Sequence, residues 1–130
     1  MSEDTKYEKS DITAKIIGAA FSVHNELGPH YLEVIYQRAL ALEFSSLGLD
    51  FNREIKVSIY YKGTEIDTRR ADFIVENVLV EIKAKGGLEK QDHEQIISYL
   101  KSSGFRVGLL INFGTDRLEY YRKINSAGNI

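Results

Sequence analysis

The segment RRADFIVENVLVEIKAK, residues 69–85, decides the fold of this 130-residue chain. It contains two runs of β-branched and apolar residues, and Glu76-Asn77 lies between them. Such a pattern is typical of two antiparallel strands joined by a tight turn, so we predict that Glu76-Asn77 forms the centre of a hairpin. In this register Asp72 and Glu81 face each other across the two strands.

Side-chain alternation along these two strands supports the register. One face is almost wholly apolar and carries Ala71, Phe73, Val75, Val78, Val80 and Ile82. The other face carries Arg70, Asp72, Ile74, Leu79, Glu81 and Lys83. Because a shift of one residue would mix the two sets, the clean partition favours this pairing over its neighbours.

The predicted pairing brings two carboxylates together. Directly opposed residues have Cβ atoms about 4.5–5.5 Å apart, so Asp72 and Glu81 would repel each other by roughly 3 kcal/mol at an effective dielectric of 20. A divalent cation that prefers oxygen ligands removes this repulsion, and Mg²⁺ is commonly held by one or two carboxylates. Lys83 lies on the same face and could orient a water molecule or neutralise a phosphate. The alternative, three solvated residues on an exposed face, remains open at this point.

Hydrophobic periodicity predicts the other elements. Helices are expected over 12–27, 32–47 and 88–103, and strands over 51–61, 66–75, 78–85, 107–111 and 118–123. Ser10 or Asp11 is the expected N-cap of the first helix. The second helix has an apolar stripe of Leu32, Ile35, Ala39, Leu42 and Leu47. The order αα-βββ-α-ββ predicts an α/β (α+β) fold with helices packed on a mixed sheet, and the continuous apolar run 107–111 predicts a central strand covered on both faces.

Composition excludes several classes of function. The chain is 43% hydrophobic and 28% charged, which is ordinary for a globular protein. It has no cysteine, so a disulfide framework, a thiolate zinc site and a cysteine nucleophile are excluded. Its three histidines are scattered, which argues against an all-histidine metal site. The net charge of −2 excludes a general polycation.

The length fits one domain over residues 1–130, with a core at about 12–124 and flexible ends at 1–9 and 125–130. The apolar runs are far shorter than the ~20 residues of a membrane span. The N-terminal MSEDTKYEKS is polar and has no signal-peptide core behind it. We therefore expect a cytoplasmic protein without a membrane partner.

Several motifs resemble those of known nucleases. Asp72, followed by Glu81-Ile82-Lys83 at the end of the next strand, resembles the core of the PD-(D/E)xK nuclease superfamily. Gln95 and Tyr99 on the following helix resemble the QxxxY motif of RecB-like members. Glu33 on the preceding helix matches the acid that many members add to the metal site.

A more extended resemblance covers residues 12–124. The stretches IIGAAFSVHNELGP, LEVIY, RADFIVENVLVEIKA and VGLLINFG are similar to those of the small prokaryotic GxxExxY family, which is assigned to this superfamily. Glu33 and Tyr36 match the naming motif. His30 stands where that motif has glycine.

The resemblance implies a restriction-endonuclease-like fold and a metal-dependent nuclease that hydrolyses phosphodiester bonds. It implies the catalytic residues Asp72, Glu81, Lys83 and Gln95, and Mg²⁺ or Mn²⁺ held by Glu33, Asp72 and Glu81. It also implies that Arg70, Tyr99 and Tyr36 contact nucleic acid or support the site. The expected partner is nucleic acid, DNA ahead of RNA, and a homodimer is one arrangement suggested by analogy.

Other interpretations of the same residues stay open at the level of sequence. The domain could be a non-catalytic nucleic-acid-binding or protein-interaction module that retains the nuclease fold. Tyr36 and Tyr99 could be core aromatic residues, and Gln95 and Tyr99 could make a plain contact at i and i+4. Arg70 could meet a phosphate or merely offset the two acids.

Overall fold

Three helices and five strands make up the part of the chain that the computed structural model describes, residues 8–125. In chain order they are α1 (Ser10–Leu27), α2 (Glu33–Ser46), β1 (Phe51–Tyr61), β2 (Thr64–Val75), β3 (Val78–Lys83), α3 (Lys90–Ser103), β4 (Val107–Asn112) and β5 (Glu119–Ile124). The predicted element order and the α+β fold class are confirmed. Most boundaries differ from the predicted ones by one or two residues.

The five strands form one mixed sheet in the order β1-β2-β3-β4-β5. Only the β3–β4 pair is parallel among these neighbours, and α3 makes the crossover that a parallel pair requires. Every residue of β4 is buried, as the continuous apolar run predicted for a central strand. The sheet is therefore covered on both faces at β4.

Each face of the sheet has its own apolar core. The first core joins α1 and α2 to one face and includes Ile16, Tyr36, Leu40, Phe44, Phe73, Val80 and Phe113. The second core joins α3 to the other face and includes Val57, Ile74, Leu79, Ile96, Tyr99, Leu100 and Leu110. Gly108 of β4 lies under α3, where an added Cβ would come within 3.1 Å of the Ile96 side chain.

The predicted hairpin is confirmed. Val75 pairs with Val78, Ile74 with Leu79 and Phe73 with Val80. Glu76 and Asn77 have φ values of 48° and 70°, and two consecutive left-handed residues are the geometry of a type I′ turn. The β2–β3 pairing ends at Phe73–Val80, and beyond it the two strands diverge into a fork.

The predicted alternation fails at one point, Ala71. Its side chain lies in the second core, whereas Phe73 lies in the first. Pairing of β1 with β2 skips Glu54 and Asp72, and Glu54 has a left-handed φ of 53°. The interruption rotates the two strands, so the alternation changes face there.

Helix α2 buries a different face from the predicted stripe. Leu32 and Leu42 are 74% and 75% exposed, whereas Tyr36, Leu40 and Phe44 are completely buried. The Tyr36 ring stacks on Phe113 at 4.6 Å between centroids. Helix α2 carries apolar side chains of its own on nearly every face, so the larger aromatic side chains determine which face is buried.

The ends of the described region also differ from expectation. Lys9, rather than Ser10 or Asp11, occupies the N-cap of α1 and makes no side-chain cap. Asn125 is buried and donates a hydrogen bond to the Leu100 carbonyl at 2.9 Å. The rest of the ends predicted to be flexible, residues 1–7 and 126–130, lie outside the described residues. None of the helices within residues 8–125 combines the length and apolar character that crossing a membrane requires.

Candidate functional site

Asp72 and Glu81 meet at the fork between β2 and β3. The Asp72 backbone N–H donates to Glu81 Oε2 at 3.0 Å, and the Ile82 N–H donates to Asp72 Oδ2 at 2.7 Å. Each carboxylate thus binds the backbone of the opposite strand, in place of the ladder hydrogen bonds that end one residue earlier. The register brought the two acids together as predicted, and their exchange of hydrogen bonds with the backbone was not predicted.

Burial strongly affects the charge of both acids. Glu81 is only 4% exposed, and its burial followed by the nearby charge of Asp72 raises its pKa to about 8. Burial also raises the pKa of Asp72, although the Ile82 hydrogen bond and the Lys83 charge oppose the shift. A site with two such carboxylates favours a proton or a cation over two negative charges.

Glu33 faces the same fork from the first turn of α2. Burial and the Asp72 charge raise its pKa, whereas Lys83 lowers it. Its carboxylate accepts a hydrogen bond from Gln37 Nε2 at 3.3 Å. Glu33 is therefore electrostatically part of the site, yet residues 8–125 contain no preassembled group of three acidic, histidine or cysteine ligands.

Lys83 connects the fork to α3. Its Nζ donates to Gln95 Oε1 at 2.9 Å and lies 3.8 Å from Asp92 Oδ1. Its side chain is only 21% exposed. The hydrogen bond to Gln95 fixes the position of the ammonium group beside the carboxylates.

Sequence reasoning missed Asp92, which is 5% exposed. Its carboxylate binds Lys85 Nζ at 2.9 Å and accepts the Glu89 N–H at 2.8 Å. Burial opposes ionisation, but the hydrogen bonds from Lys85 and Glu89 outweigh it and lower the pKa of Asp92. Glu89 and Asp92 form a reciprocal capping box at the start of α3, but Glu-x-x-Asp departs from the Ser/Thr-x-x-Glu/Gln pattern that marks such a box in a sequence.

The supporting residues occupy different environments. Tyr36 is fully buried, and its hydroxyl donates to the Gly28 carbonyl, so it braces the start of α2. Tyr99 is 7% exposed, and burial followed by the Glu81 charge raises its pKa, which keeps its hydroxyl protonated. The exposed Arg70 binds Glu54 at 2.9 Å, so in this arrangement it pairs with neither Asp72 nor Glu81.

A second group missed from the sequence secures the ends of the parallel strands. Asn112, completely buried, donates to the Lys85 carbonyl at 3.0 Å and to Glu119 Oε1 at 2.8 Å. Its Oδ1 accepts hydrogen bonds from the Lys85 and Gly114 N–H groups. These contacts tie the segment after Lys83 to β4 and so hold the end of β3 in place.

The sequence profile of the PD-(D/E)XK nuclease superfamily matches residues 10–124. The chain belongs to that superfamily. Among solved structures, the crystal structure of SSO0001 is similar in fold, with 22% sequence identity and a TM-score of 0.51. The match covers 92% of this chain and 59% of that protein. A search of curated proteins finds no match.

The acids of this PD-(D/E)XK domain fit the divalent metals, such as Mg²⁺, that the superfamily typically uses. Besides burial, the Asp72 charge raises the pKa of both Glu33 and Glu81, and the Lys83 charge opposes the rise in pKa at all three acids. A hard cation prefers oxygen ligands and would relieve this excess of negative charge. The donor chemistry therefore suits the group, although Asp72 and Glu81 now bind backbone N–H groups.

Proposed function

We propose that the protein is a metal-dependent nuclease that hydrolyses phosphodiester bonds of nucleic acid. The observation that supports this function best is the convergence of Asp72, Glu81 and Lys83 at one fork of the sheet. Two buried acids beside a lysine are an arrangement suited to holding a cation next to a phosphate. The family membership supports the same conclusion.

In this proposal Asp72, Glu81 and Glu33 hold Mg²⁺ or Mn²⁺. When bound, the cation supplies an acidified water and charge stabilisation at the phosphate. Because burial followed by the Asp72 charge raises the pKa of Glu81 to about 8, this carboxyl would release a proton when it binds the cation. Asp72 Oδ2 and Glu81 Oε2 accept backbone N–H groups, and an ionised carboxylate has further lone pairs that would be available to a cation.

Lys83 and Gln95 act as a pair in the same proposal. The Gln95 amide oxygen holds the Lys83 ammonium at 2.9 Å, where it orients the attacking water and stabilises negative charge that develops on the phosphate. Asp92, at 3.8 Å, limits where this ammonium can move. Tyr99 and Tyr36 support the site from the two cores.

We further propose the finer assignments that the motifs suggest. These are membership of the GxxExxY family, a RecB-like QxxxY role for Gln95 and Tyr99, and DNA ahead of RNA as substrate. The histidine in place of the motif glycine fits this assignment, because His30 does not have a positive φ and imposes no left-handed strain. A homodimer is part of the proposal by analogy alone.

A cleavage panel tests the function. Purified protein is incubated with single-stranded, double-stranded and branched DNA and RNA in Mg²⁺, Mn²⁺ or EDTA. We expect metal-dependent cleavage that Lys83→Ala lowers by about 10²–10³-fold, the loss typical of removing one charge-stabilising group. Lys90→Ala is the matched control, since Lys90 is exposed and, among residues 8–125, forms an ion pair with Glu94 alone.

Two outcomes would contradict the proposal. Full activity in folded Lys83→Ala would show that the site lies elsewhere. Binding of nucleic acid without cleavage of any substrate would favour the second candidate, a non-catalytic binding module. That candidate draws on one observation, namely that both central acids are occupied by backbone hydrogen bonds.

A further inference from the structure

An open pocket of about 430 Å³ lies beside the fork, between α2 and β1. Val34 and Arg38 of α2 line one side, and Arg53 and Glu54 of β1 line the other. Its volume falls within the range of about 300–1,000 Å³ that is usual for ligand sites. The residues that line this pocket include neither the three proposed metal ligands nor Lys83.

The two arginines of this pocket have acids nearby but are not bound to them: Glu54 shares the lining, and the Arg53 charge opposes the rise that burial causes in the pKa of Asp72. Within residues 8–125, neither Arg38 nor Arg53 forms an ion pair or a side-chain hydrogen bond of its own. By contrast, Arg69 and Arg70 are paired, at 3.0 Å with Asp67 and 2.9 Å with Glu54. Two guanidinium groups that face one pocket without carboxylate partners favour an anionic ligand.

Packing orients one of the two arginines. The Arg53 guanidinium carbon lies 5.6 Å from the centre of the Phe73 ring, within the range of a cation–π contact. That contact restricts the side chain while leaving its N–H groups available. Glu54 is the one acid in the lining, and Arg70 already binds it.

The pocket adjoins the proposed catalytic site on both sides. Val34 follows Glu33 in the first turn of α2. Arg53 pairs across the sheet with Phe73, the residue next to Asp72. A ligand strand with one phosphate at the fork would therefore have its neighbouring phosphate near this pocket.

We propose that Arg38 and Arg53 bind a backbone phosphate of the nucleic-acid strand next to the phosphate at the fork. The inference rests on the proposed nuclease function and adds to it a phosphate contact that does not depend on base sequence, because phosphates are common to every nucleotide. Val34 gives the sugar an apolar surface. The contact positions the strand, and Lys83 and the acids act on the adjacent linkage.

Binding in EDTA tests the pocket separately from cleavage. A fluorescein-labelled 20-nucleotide DNA, single-stranded or duplex, is titrated with wild type, Arg38→Gln, Arg53→Gln and the double variant at several salt concentrations. We expect roughly tenfold weaker binding by the double variant, as for the loss of a charge-assisted contact. The slope of log K against log salt should become shallower by about 0.9 on duplex DNA, which corresponds to one phosphate.

Three further variants control for the fold and the sign of the charge. Arg38→Lys with Arg53→Lys keeps both charges and should keep the wild-type salt slope. Glu54→Gln removes the one acid of the lining and should tighten binding. Arg117→Gln removes an exposed arginine outside this pocket and should bind as wild type.

The results separate the pocket from the nuclease function. A folded double variant with wild-type affinity and salt slope would overturn the pocket while leaving cleavage by wild type, and so the proposed function, intact. If wild type neither binds nor cuts nucleic acid, both proposals fail together. Weaker binding in a Glu54→Gln variant that keeps the wild-type fold would also contradict the pocket, because the loss of a negative charge from the lining lowers the repulsion that a phosphate meets there.

Discussion

The carboxylate of Glu81 binds a backbone N–H group while burial and a neighbouring acid raise its pKa to about 8. The hydrogen bond favours the ionised form, but burial and Asp72 oppose it more strongly. At neutral pH the metal-free site therefore holds a proton shared within the Asp72–Glu81 pair. Protonation state, rather than geometry alone, distinguishes this residue from an ordinary acid on a strand.

The raised pKa makes a prediction about stability and pH. Between the unfolded pKa of about 4.5 and the folded pKa of about 8, the native state holds a proton that the unfolded state has released. Stability must then fall as pH rises through this window, by an amount on the order of a few kcal/mol. We expect metal-free wild type to lose stability between pH 5 and 9, and Glu81→Gln to lose much less.

Urea unfolding at each pH, with EDTA present, measures this difference. Glu94→Gln is the matched control, because Glu94 is an exposed acid whose one ion pair within the described part of the chain is with Lys90. It should follow the wild-type profile. Parallel profiles for wild type and Glu81→Gln would contradict the raised pKa.

At the level of residues, the sequence allowed the central acids and the lysine to be predicted, and the reason is register. Period-two alternation places Asp72, Glu81 and Lys83 relative to one another once the turn at Glu76-Asn77 is known. Asp92 was missed because its partner Lys85 lies in the loop between β3 and α3, and only the path of that loop brings the two side chains together. Arg38 and Arg53 were missed because they come from two elements, α2 and β1, that only the fold brings together.

Among the elements, α2 shows how far periodicity can be trusted. Its sequence EVIYQRALALEFSS offers apolar residues on several faces, and the predicted stripe was the wrong one. Tyr36, Leu40 and Phe44 are the residues it buries. Which face of α2 is buried depends on the shape of the surface below the helix, which includes Phe73 and Phe113. The spacing of apolar residues within the helix does not indicate that shape.

Two leucines on α2 test the observed face. Leu40 is completely buried and Leu42 is 75% exposed, although the two are only two positions apart. Leu40→Ala should cost about 2–5 kcal/mol in the free energy of unfolding, whereas Leu42→Ala should stay within about 0.5 kcal/mol. Chemical denaturation of both variants measures the contrast, and the opposite order would restore the stripe predicted from the sequence.

The loop after β4 depends on a glycine. A Cβ at Gly114 would lie 2.3 Å from both the backbone nitrogen and the carbonyl oxygen of Lys85. These atoms belong to the main chain, so relieving the clash would require the backbone itself to shift. Gly114→Ala should therefore destabilise the protein by at least about 2 kcal/mol. It should also disturb the Asn112 contacts that hold the end of β3.

Gly87→Ala is the control for this prediction. Gly87 lies in the nearby loop before α3, has no left-handed φ, and leaves open space around an added Cβ. We expect little change in thermal unfolding for this variant. Equal effects of the two substitutions would show that Gly114 is not a point of close approach.

The interruption at Glu54 and Asp72 marks the limit of prediction at this scale. Alternation assumes a regular strand, and it correctly describes β3 and the end of β2 near the turn. A left-handed Glu54 ends that regularity, and a glutamate gives no local signal for such a conformation, unlike glycine or asparagine. Ala71 consequently faces the second core.

For the molecule as a whole, the site lies where the two layers of helices and the diverging strands meet. Glu33 comes from α2, the acids and Lys83 from β2 and β3, and Gln95 from α3. The order of elements was predictable because each has a clear period. The approach of Glu33 and Gln95 to the strand residues followed from the resemblance, since composition and periodicity do not show which elements adjoin.

A ligand that binds across these elements must stabilise the whole fold. We expect Mn²⁺ at pH 8 to stabilise wild type by about 2.7 kcal/mol at one hundred times Kd, and its melting temperature should keep rising with the logarithm of the metal concentration. Glu81→Gln removes a proposed ligand and should show little stabilisation. Differential scanning fluorimetry across a metal titration measures both.

Glu94→Gln again provides the control, with an expected response equal to that of wild type. Its carboxylate lies on the exposed side of α3, outside the fork. Equal stabilisation of wild type and Glu81→Gln would show that the metal binds at some other place.

The reciprocal hydrogen bonds at the fork can be followed through the solvent exchange of the two backbone amides that donate them. The amide protons of Asp72 and Ile82 are shielded from solvent by carboxylate oxygens rather than by a neighbouring strand. A ligand that takes Glu81 Oε2 frees the Asp72 amide, and one that takes Asp72 Oδ2 frees the Ile82 amide, while the amides along the paired part of the hairpin stay protected. Hydrogen–deuterium exchange at these two positions thus reports how often the carboxylates release the amides in the protein without substrate.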